Sequence, residues 1–213
     1  MRAASLFVAF FPGAVIVGCG ITTKNLTVPS GVAAVEAAPE RFAPRLDDPL
    51  LDFPPGTTTD DLSGLEGCWG AIIEDDEEFA LASDAIFFRF DFDAGRLTHQ
   101  TVQRSGTNNA LFPFSFDVAT EFDFSLSLTD DGRITGELLS VNSDTNVNDT
   151  FFGEFSDITQ EEVRAVCGGE DCLSLDHSVT LIGDRFRFGA SSSGDTGPPF
   201  RSDIVLIRAE CPD

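Results

Sequence analysis

An all-β fold is predicted for this chain, an antiparallel barrel or sandwich of about eight to ten strands with one short helix. Three observations carry that expectation. Apolar and polar residues alternate along several runs, turn-forming residues separate those runs, and one stretch stands out with the capping pattern of a helix.

The alternation is clearest at residues 86–93. Ile86, Phe88, Phe90 and Phe92 share one face, Arg89, Asp91 and Asp93 share the other, and Phe87 is the one apolar residue on the polar face. Successive side chains of a strand point to opposite sides of its sheet, so the pattern describes one buried and one wet face. Phe112, Phe114, Phe116 and Val118 repeat it. So do Phe122, Phe124, Leu126 and Leu128, opposite Glu121, Asp123, Ser125 and Ser127. Asp93-Ala94-Gly95, Asp130-Asp131-Gly132 and Asn142 to Asn148 are suited to turns or short loops, and Glu74 to Glu78 reads as a solvated loop. Further strands are expected near Trp69 to Ile73, Leu97 to Arg104, Arg133 to Val141, Thr150 to Phe155, Ser174 to Ile182, Arg185 to Phe188 and Arg201 to Arg208. A meander with one apolar face buries it by closing on itself or by folding into two layers. With 21 Phe and no Tyr, that face carries ring bulk without hydroxyls to satisfy, which favours a filled interior. The helix is expected at residues 159–166, stopping at Cys167. Thr159-Gln160-Glu161-Glu162 is a capping box, Ile158 and Val163 form a hydrophobic staple, and Gly168-Gly169 ends it.

Three segments organise the chain. Residues 1–18 read as a signal peptide, with Arg2 before an apolar run from Leu6 to Val17 that is too short to span a bilayer. Residues 19–60 read as a flexible tether, because Pro29, Pro39, Pro44, Pro49, Pro54 and Pro55 interrupt both helix and ladder. A strand at Leu26 to Val28 is the alternative there. Residues 61–213 form the β domain.

Ile16-Val17-Gly18-Cys19 resembles the lipobox of bacterial lipoproteins, with Ile16 where leucine is usual. The resemblance implies a diacylglycerol on the Cys19 thiol and a place in the bacterial cell envelope, with the outer membrane favoured by Gly20. Cysteine arithmetic agrees with export. Setting Cys19 aside leaves Cys68, Cys167, Cys172 and Cys211, an even set suited to two disulfides in an oxidising compartment. Cys167 with Cys172, and Cys68 with Cys211, is the preferred of three possible pairings. A zinc site using Cys167, Cys172 and His177 with Cys68 or Cys211 is the disfavoured alternative, since the spacing is not a standard zinc one.

The net charge of −23, with Lys24 the only lysine, excludes nucleic acid as a natural partner. It also leaves the acyl anchor, and no basic patch, to hold the protein at an anionic membrane. Catalysis is not expected. His99 and His177 are the only imidazoles, no nucleophile elbow or zinc-protease helix occurs, and His177 alternates with Leu175, Val179 and Leu181 as a core residue would. No cofactor or metal is expected either. Asp91, Asp93 and Gly95, and the group Asn142, Asp144, Asn146, Asn148 and Asp149, offer oxygen ligands for calcium but lack the EF-hand pattern.

Gly67-Cys68-Trp69 resembles the Gly-x-Trp of the first lipocalin strand, and Arg208 resembles the arginine that packs on that tryptophan. The resemblance implies a barrel that takes a small hydrophobic ligand in its mouth. Read together, these features describe an envelope-anchored lipoprotein whose β domain binds a small apolar molecule or another envelope component. The alternative is a structural or surface-interaction lipoprotein that meets a protein partner or cations through its acidic face. Native mass spectrometry of the protein from its envelope is expected to show an acyl mass on Cys19 and a four-hydrogen deficit from two disulfides. A mature chain without Cys19 overturns the lipoprotein reading.

Overall fold

The computed structural model describes residues 26–43, 48–54, 57–59, 61–77, 80–107, 114–148, 159, 161, 174–191 and 204–212. The all-β expectation holds. Strands β1 (Gly67–Glu77), β2 (Ala80–Asp91), β3 (Arg96–Thr107), β4 (Phe114–Ser125), β5 (Ser127–Leu128), β6 (Arg133–Asn148), β7 (Ser174–Ile182), β8 (Arg185–Ser191) and β9 (Leu206–Ala209) form one antiparallel sheet. β9 returns to pair with β1, and β4 pairs with β6, so the sheet closes into a ring. Closure removes the exposed edges that a sheet of this width would otherwise present.

The alternation sorts as the sequence implies. Trp69, Ala71, Ile86, Phe88, Phe90, Leu97, Phe124, Ile134, Leu175, Val179, Phe186, Phe188 and Leu206 make one buried cluster inside the ring. Two turn-like readings are corrected. Asn142 to Asn148 belongs to β6, because twelve-residue β4 pairs along it and imposes a period of two on residues that locally favour turns. Glu74 to Glu77 likewise continues β1, paired with Ala80 to Ser83. One extra residue at Leu139 shifts the β4–β6 register between Asp123 and Phe124 and marks a bulge. The expected strand at Thr150 to Phe155, and all of the expected helix except Thr159 and Glu161, lie outside the described residues.

The tether is the larger correction. The described residues between Leu26 and Thr59 pack on the domain as a belt. Helices α1 (Ser30–Glu36) and α2 (Pro39–Phe42) lie on the outer face of β1, β2 and β3. Val32, Val35 and Phe42 are buried there against Cys68, Ile72, Ala85, Phe87, Val102, Ala119, Ile207 and Ala209. Phe87, the apolar residue on the polar face, is thus a belt contact. Arg41 donates from Nη2 to the Arg208 carbonyl at 2.6 Å, carrying the belt across β9. A 3-10 turn at Pro49–Asp52 follows, started by Asp48, whose carboxylate accepts from Leu50 N and pairs with Arg185 of β8 at 2.6 Å. Thr59 then bonds β7 through Val179 and Leu181, and a second 3-10 turn, Ser63–Leu65, puts Leu62 and Leu65 under the ring. Prolines break long elements, but they are tolerated at helix starts such as Pro39 and Pro49. Among the described residues no helix is long and apolar enough to cross a membrane.

The belt approaches the wall closely because two glycines permit it. A Cβ on Gly70 would lie 2.4 Å from Val35, and one on Gly31 would lie 2.2 Å from the Phe87 ring. Gly70→Val is therefore expected to lift α1 off the wall and cost roughly 1–3 kcal/mol, the usual range for overpacking. A lowered urea midpoint together with faster tryptic cleavage after Arg41 checks it. Unchanged cleavage would show that the belt does not depend on this contact.

Candidate functional site

The seam of the ring holds the motif residues together. Trp69 and Arg208 face each other directly across the β1–β9 ladder, and the guanidinium carbon of Arg208 lies 3.9 Å from the indole centroid. Arg208 donates from Nη1 to the Glu66 carbonyl and from Nη2 to the Gly64 carbonyl. Trp69 donates from Nε1 to the Leu65 carbonyl at 2.8 Å. Three successive carbonyls of the 3-10 turn are thus taken by one cation–π pair. Such pairs gain strength as they leave water. Gly67 is part of the same arrangement. Its φ of +104° lies in the left-handed region, and a Cβ there would stand 2.9 Å from Arg208 Nη1. Burial shifts the Arg208 pKa downward and Asp184 opposes that shift.

A disulfide reinforces the seam from outside. Cys68 and Cys211 are bridged with their Cα atoms 5.3 Å apart, across a sequence separation of 143 residues. Cross-links that close loops this long constrain the unfolded chain most. Cys19, Cys167 and Cys172 lie outside the described residues.

Above this floor the ring is filled by edge-to-face rings. Trp69 meets Phe186 at 4.9 Å, Phe186 meets Phe188 at 5.0 Å, and Phe188 meets Phe88 at 5.2 Å. Both histidines point inward. The His99 ring lies 4.4 Å from Phe88 and 5.6 Å from Phe122, and burial pushes its pKa down to about 3. His177 places Nδ1 3.2 Å from the Gly189 carbonyl and its ring 5.7 Å from Phe188. The expectation that His177 faces inward agrees with this geometry. His99 was legible in the same way, from its alternation with Leu97 and Thr101.

Further from the floor the lining changes. Val118, Thr120 and Thr145 are buried, whereas Ile73, Thr101, Phe116, Phe122, Val141 and Ser143, which face inward by register, are only half-buried. An inward side chain in a closed ring reaches water through an end of that ring. The base is occupied by Leu62 and Leu65, and these half-buried side chains lie toward the opposite rim, where β1, β3, β6 and β8 end at Glu77, Thr107, Asn148 and Ser191.

The calcium candidates are dispersed. Asp91 caps its own turn by accepting from Ala94 N at 2.8 Å, and Asn142, Asp144 and Asn146 line the outer face of β6, where Asp144 accepts from Thr27 N at 2.7 Å. Among the described residues no three His, Cys, Asp or Glu side chains form a group that could hold a metal.

The arrangement defines a class, a closed antiparallel β-barrel with a ring-packed floor, a belted outer wall and an aromatic and hydroxyl lining nearer the far rim. No family model, curated protein or solved structure matches the chain.

His99 makes stability depend on pH. Its pKa falls on folding, so between about 3 and 6.5 the unfolded chain binds more protons than the folded one, and stability rises with pH across that window. His99→Phe is expected to remove this component. Urea midpoints of the two proteins should converge as pH falls from neutrality toward about 4 if the wild type is the more stable at pH 7. Parallel pH profiles would show that His99 does not titrate with unfolding.

Proposed function

We propose that this chain is a bacterial envelope lipoprotein, held in the outer membrane by acyl chains on Cys19, whose barrel binds a small apolar ligand or an apolar part of another envelope component without catalysis. The half-buried inward wall around Phe116, Phe122 and Val141 carries this reading. Apolar side chains left partly wet inside a ring, beside the hydroxyls of Thr101, Thr120 and Ser143, fit the usual makeup of a ligand site, mostly apolar with a few polar groups to orient the guest. The sealed floor fits as well. Stacking Trp69 on Arg208 closes one end, so a guest would enter a blind site and not a channel. The lipocalin-like Gly67, Trp69 and Arg208 favour the same assignment, and the lipobox-like residues 16–19 favour the envelope.

The second reading, a partner or cations at the acidic face, draws on one observation. β4 sets Asp117, Glu121 and Asp123 along the outer wall opposite Asn146, Asn142 and Ser140 of β6. Two of those carboxylates already accept from neighbours, Glu121 from Gln100 and Asp123 from Thr98. The interior reading is therefore preferred.

Titration of the chain from Gly20 onward with N-phenyl-1-naphthylamine, displaced by palmitate, tests the interior. Saturable binding is expected, weakened at least about tenfold, ~1.4 kcal/mol, by Ser143→Phe, which fills the lining without touching the floor. Absence of saturable binding, or binding indifferent to Ser143→Phe, would sink the apolar-ligand reading and favour the acidic outer wall.

A further inference from the structure

Three arginines on the outer wall pair with carboxylates, and Arg89 lies exposed to water. Arg104 pairs with Glu36 of the belt, Arg133 with Asp176 at 2.7 Å and Arg185 with Asp48 at 2.6 Å. Arg187 differs. Its side chain points outward from β8, since Phe186 and Phe188 point in, yet the residue is only 4% exposed because the belt covers it. Nη2 donates to the Phe53 carbonyl of the belt at 2.8 Å, Nε has no hydrogen-bond partner, and among the described residues no carboxylate pairs with the guanidinium.

We propose that Arg187 and Ser178 hold a small monovalent anion of the halide class beneath the belt. Arg187 stands opposite Thr180 in the β7–β8 ladder, and Ser178 lies two residues from Thr180 on the same outer face of β7. Ser178 is 0% exposed and its hydroxyl is also without a hydrogen-bond partner. Diagonal cross-strand neighbours are close enough for a long side chain such as arginine to reach toward a shared guest. The roof is built by the belt, which accepts from Thr180 Oγ1 through the Thr57 carbonyl at 2.7 Å and from Arg187 through Phe53.

Two donors, one of them cationic, and no paired carboxylate among the described residues define the ligand chemistry. A water molecule would satisfy the hydrogen bonds but not the charge, and an unpaired buried charge is among the costlier things a fold can contain. A guanidinium does not escape by losing its proton at neutral pH. Desolvation, the sole cause of its downward pKa shift, agrees with the lack of a nearby anion. The close roof selects for small size. With a net charge of −23 the protein repels anions in general, so only a desolvated site with its own cation would retain one.

Thermal unfolding of the full chain in sodium chloride, sodium bromide and sodium gluconate at one ionic strength tests the site. Either halide is expected to raise Tm by a few degrees over gluconate, through binding to the folded state alone. Arg187→Leu should abolish that difference and Ser178→Ala should reduce it. Chloride-35 line broadening by the native protein, relieved by bromide, gives a readout independent of stability should Arg187→Leu fail to fold. A wild type indifferent to halide, with no broadening, overturns the proposal in favour of water alone. A halide effect that survives in both variants overturns it in favour of a site elsewhere.

Discussion

Everything in this fold hangs on the contact between Arg208 and Trp69. The two residues lie near opposite ends of the barrel sequence and meet on adjacent strands, so their stacking is the point at which the ring closes. The same guanidinium takes the carbonyls of Gly64 and Glu66, and the indole takes that of Leu65. A 3-10 turn leaves carbonyls without partners of its own, and burying them under a barrel would be costly unless something donated to them. Arg208 and Trp69 supply those donors, which allows Leu65 to be driven into the base. Closure of the ring and sealing of its floor are therefore one event. Outside the wall, Cys68 and Cys211 hold the same two chain segments covalently.

A closed ring with an apolar interior would ordinarily leave its outside wet. Here the outer faces of β1, β2, β3 and β4 also carry Ile72, Ala85, Phe87, Val102 and Ala119, and the belt buries them. The domain has two apolar clusters separated by one layer of backbone. Polar contacts fix the belt in register over that second cluster. Gly31 N donates to Gln100 Oε1 at 2.9 Å, Gln100 in turn donates to Glu121, and Glu36 pairs with Arg104 beside Asp117. Asp117 is raised in pKa chiefly by burial, with Glu36 adding to the shift and Arg104 opposing it, so the belt places a second carboxylate where one cation serves two. Burial of Val32, Val35 and Phe42 at roughly 1.5–3 kcal/mol each outweighs that local repulsion.

The inner cluster was legible because it obeys a single rule. Ile86, Phe88 and Phe90, or Phe122 and Phe124, are large, apolar and two residues apart, and nothing but a strand puts them on one side. The outer cluster hid in small residues. Ala85, Ala119 and Val102 on a nominally polar face look neutral in a sequence, and only Phe87 was too large to overlook. The belt hid behind its prolines, which forbid long helices but not the short α1 and α2 whose Val32 and Val35 are spaced three apart. Asn142 to Asn148 shows the opposite failure. Asn, Ser and Asp favour turns locally, and only pairing with distant β4 makes that stretch a strand. At the site, Gly67, Trp69 and Arg208 were legible through a motif, whereas their carbonyl partners were not, since those depend on backbone geometry that no side chain announces.

The belt alters what an N-terminal anchor would do. A free tether from Cys19 to the start of β1 would let an acidic domain stand well off an anionic surface, where repulsion is screened over about 8–10 Å at physiological salt. The packed belt begins at Leu26, seven residues after Cys19, and a fully extended stretch of that length reaches at most about 25 Å. A lipidated Cys19 would accordingly hold the barrel within a few Debye lengths of the bilayer, by the wall where Thr27 meets Asp144 on β6. That wall carries Glu121, Asp117 and Asp123 in the adjoining strand, so the anchored domain would feel a torque turning its acidic side outward. On such an anchor the belt would act as an orienting mount and not as a simple leash, because the barrel's angle to the bilayer would be set by where α1 sits on the wall.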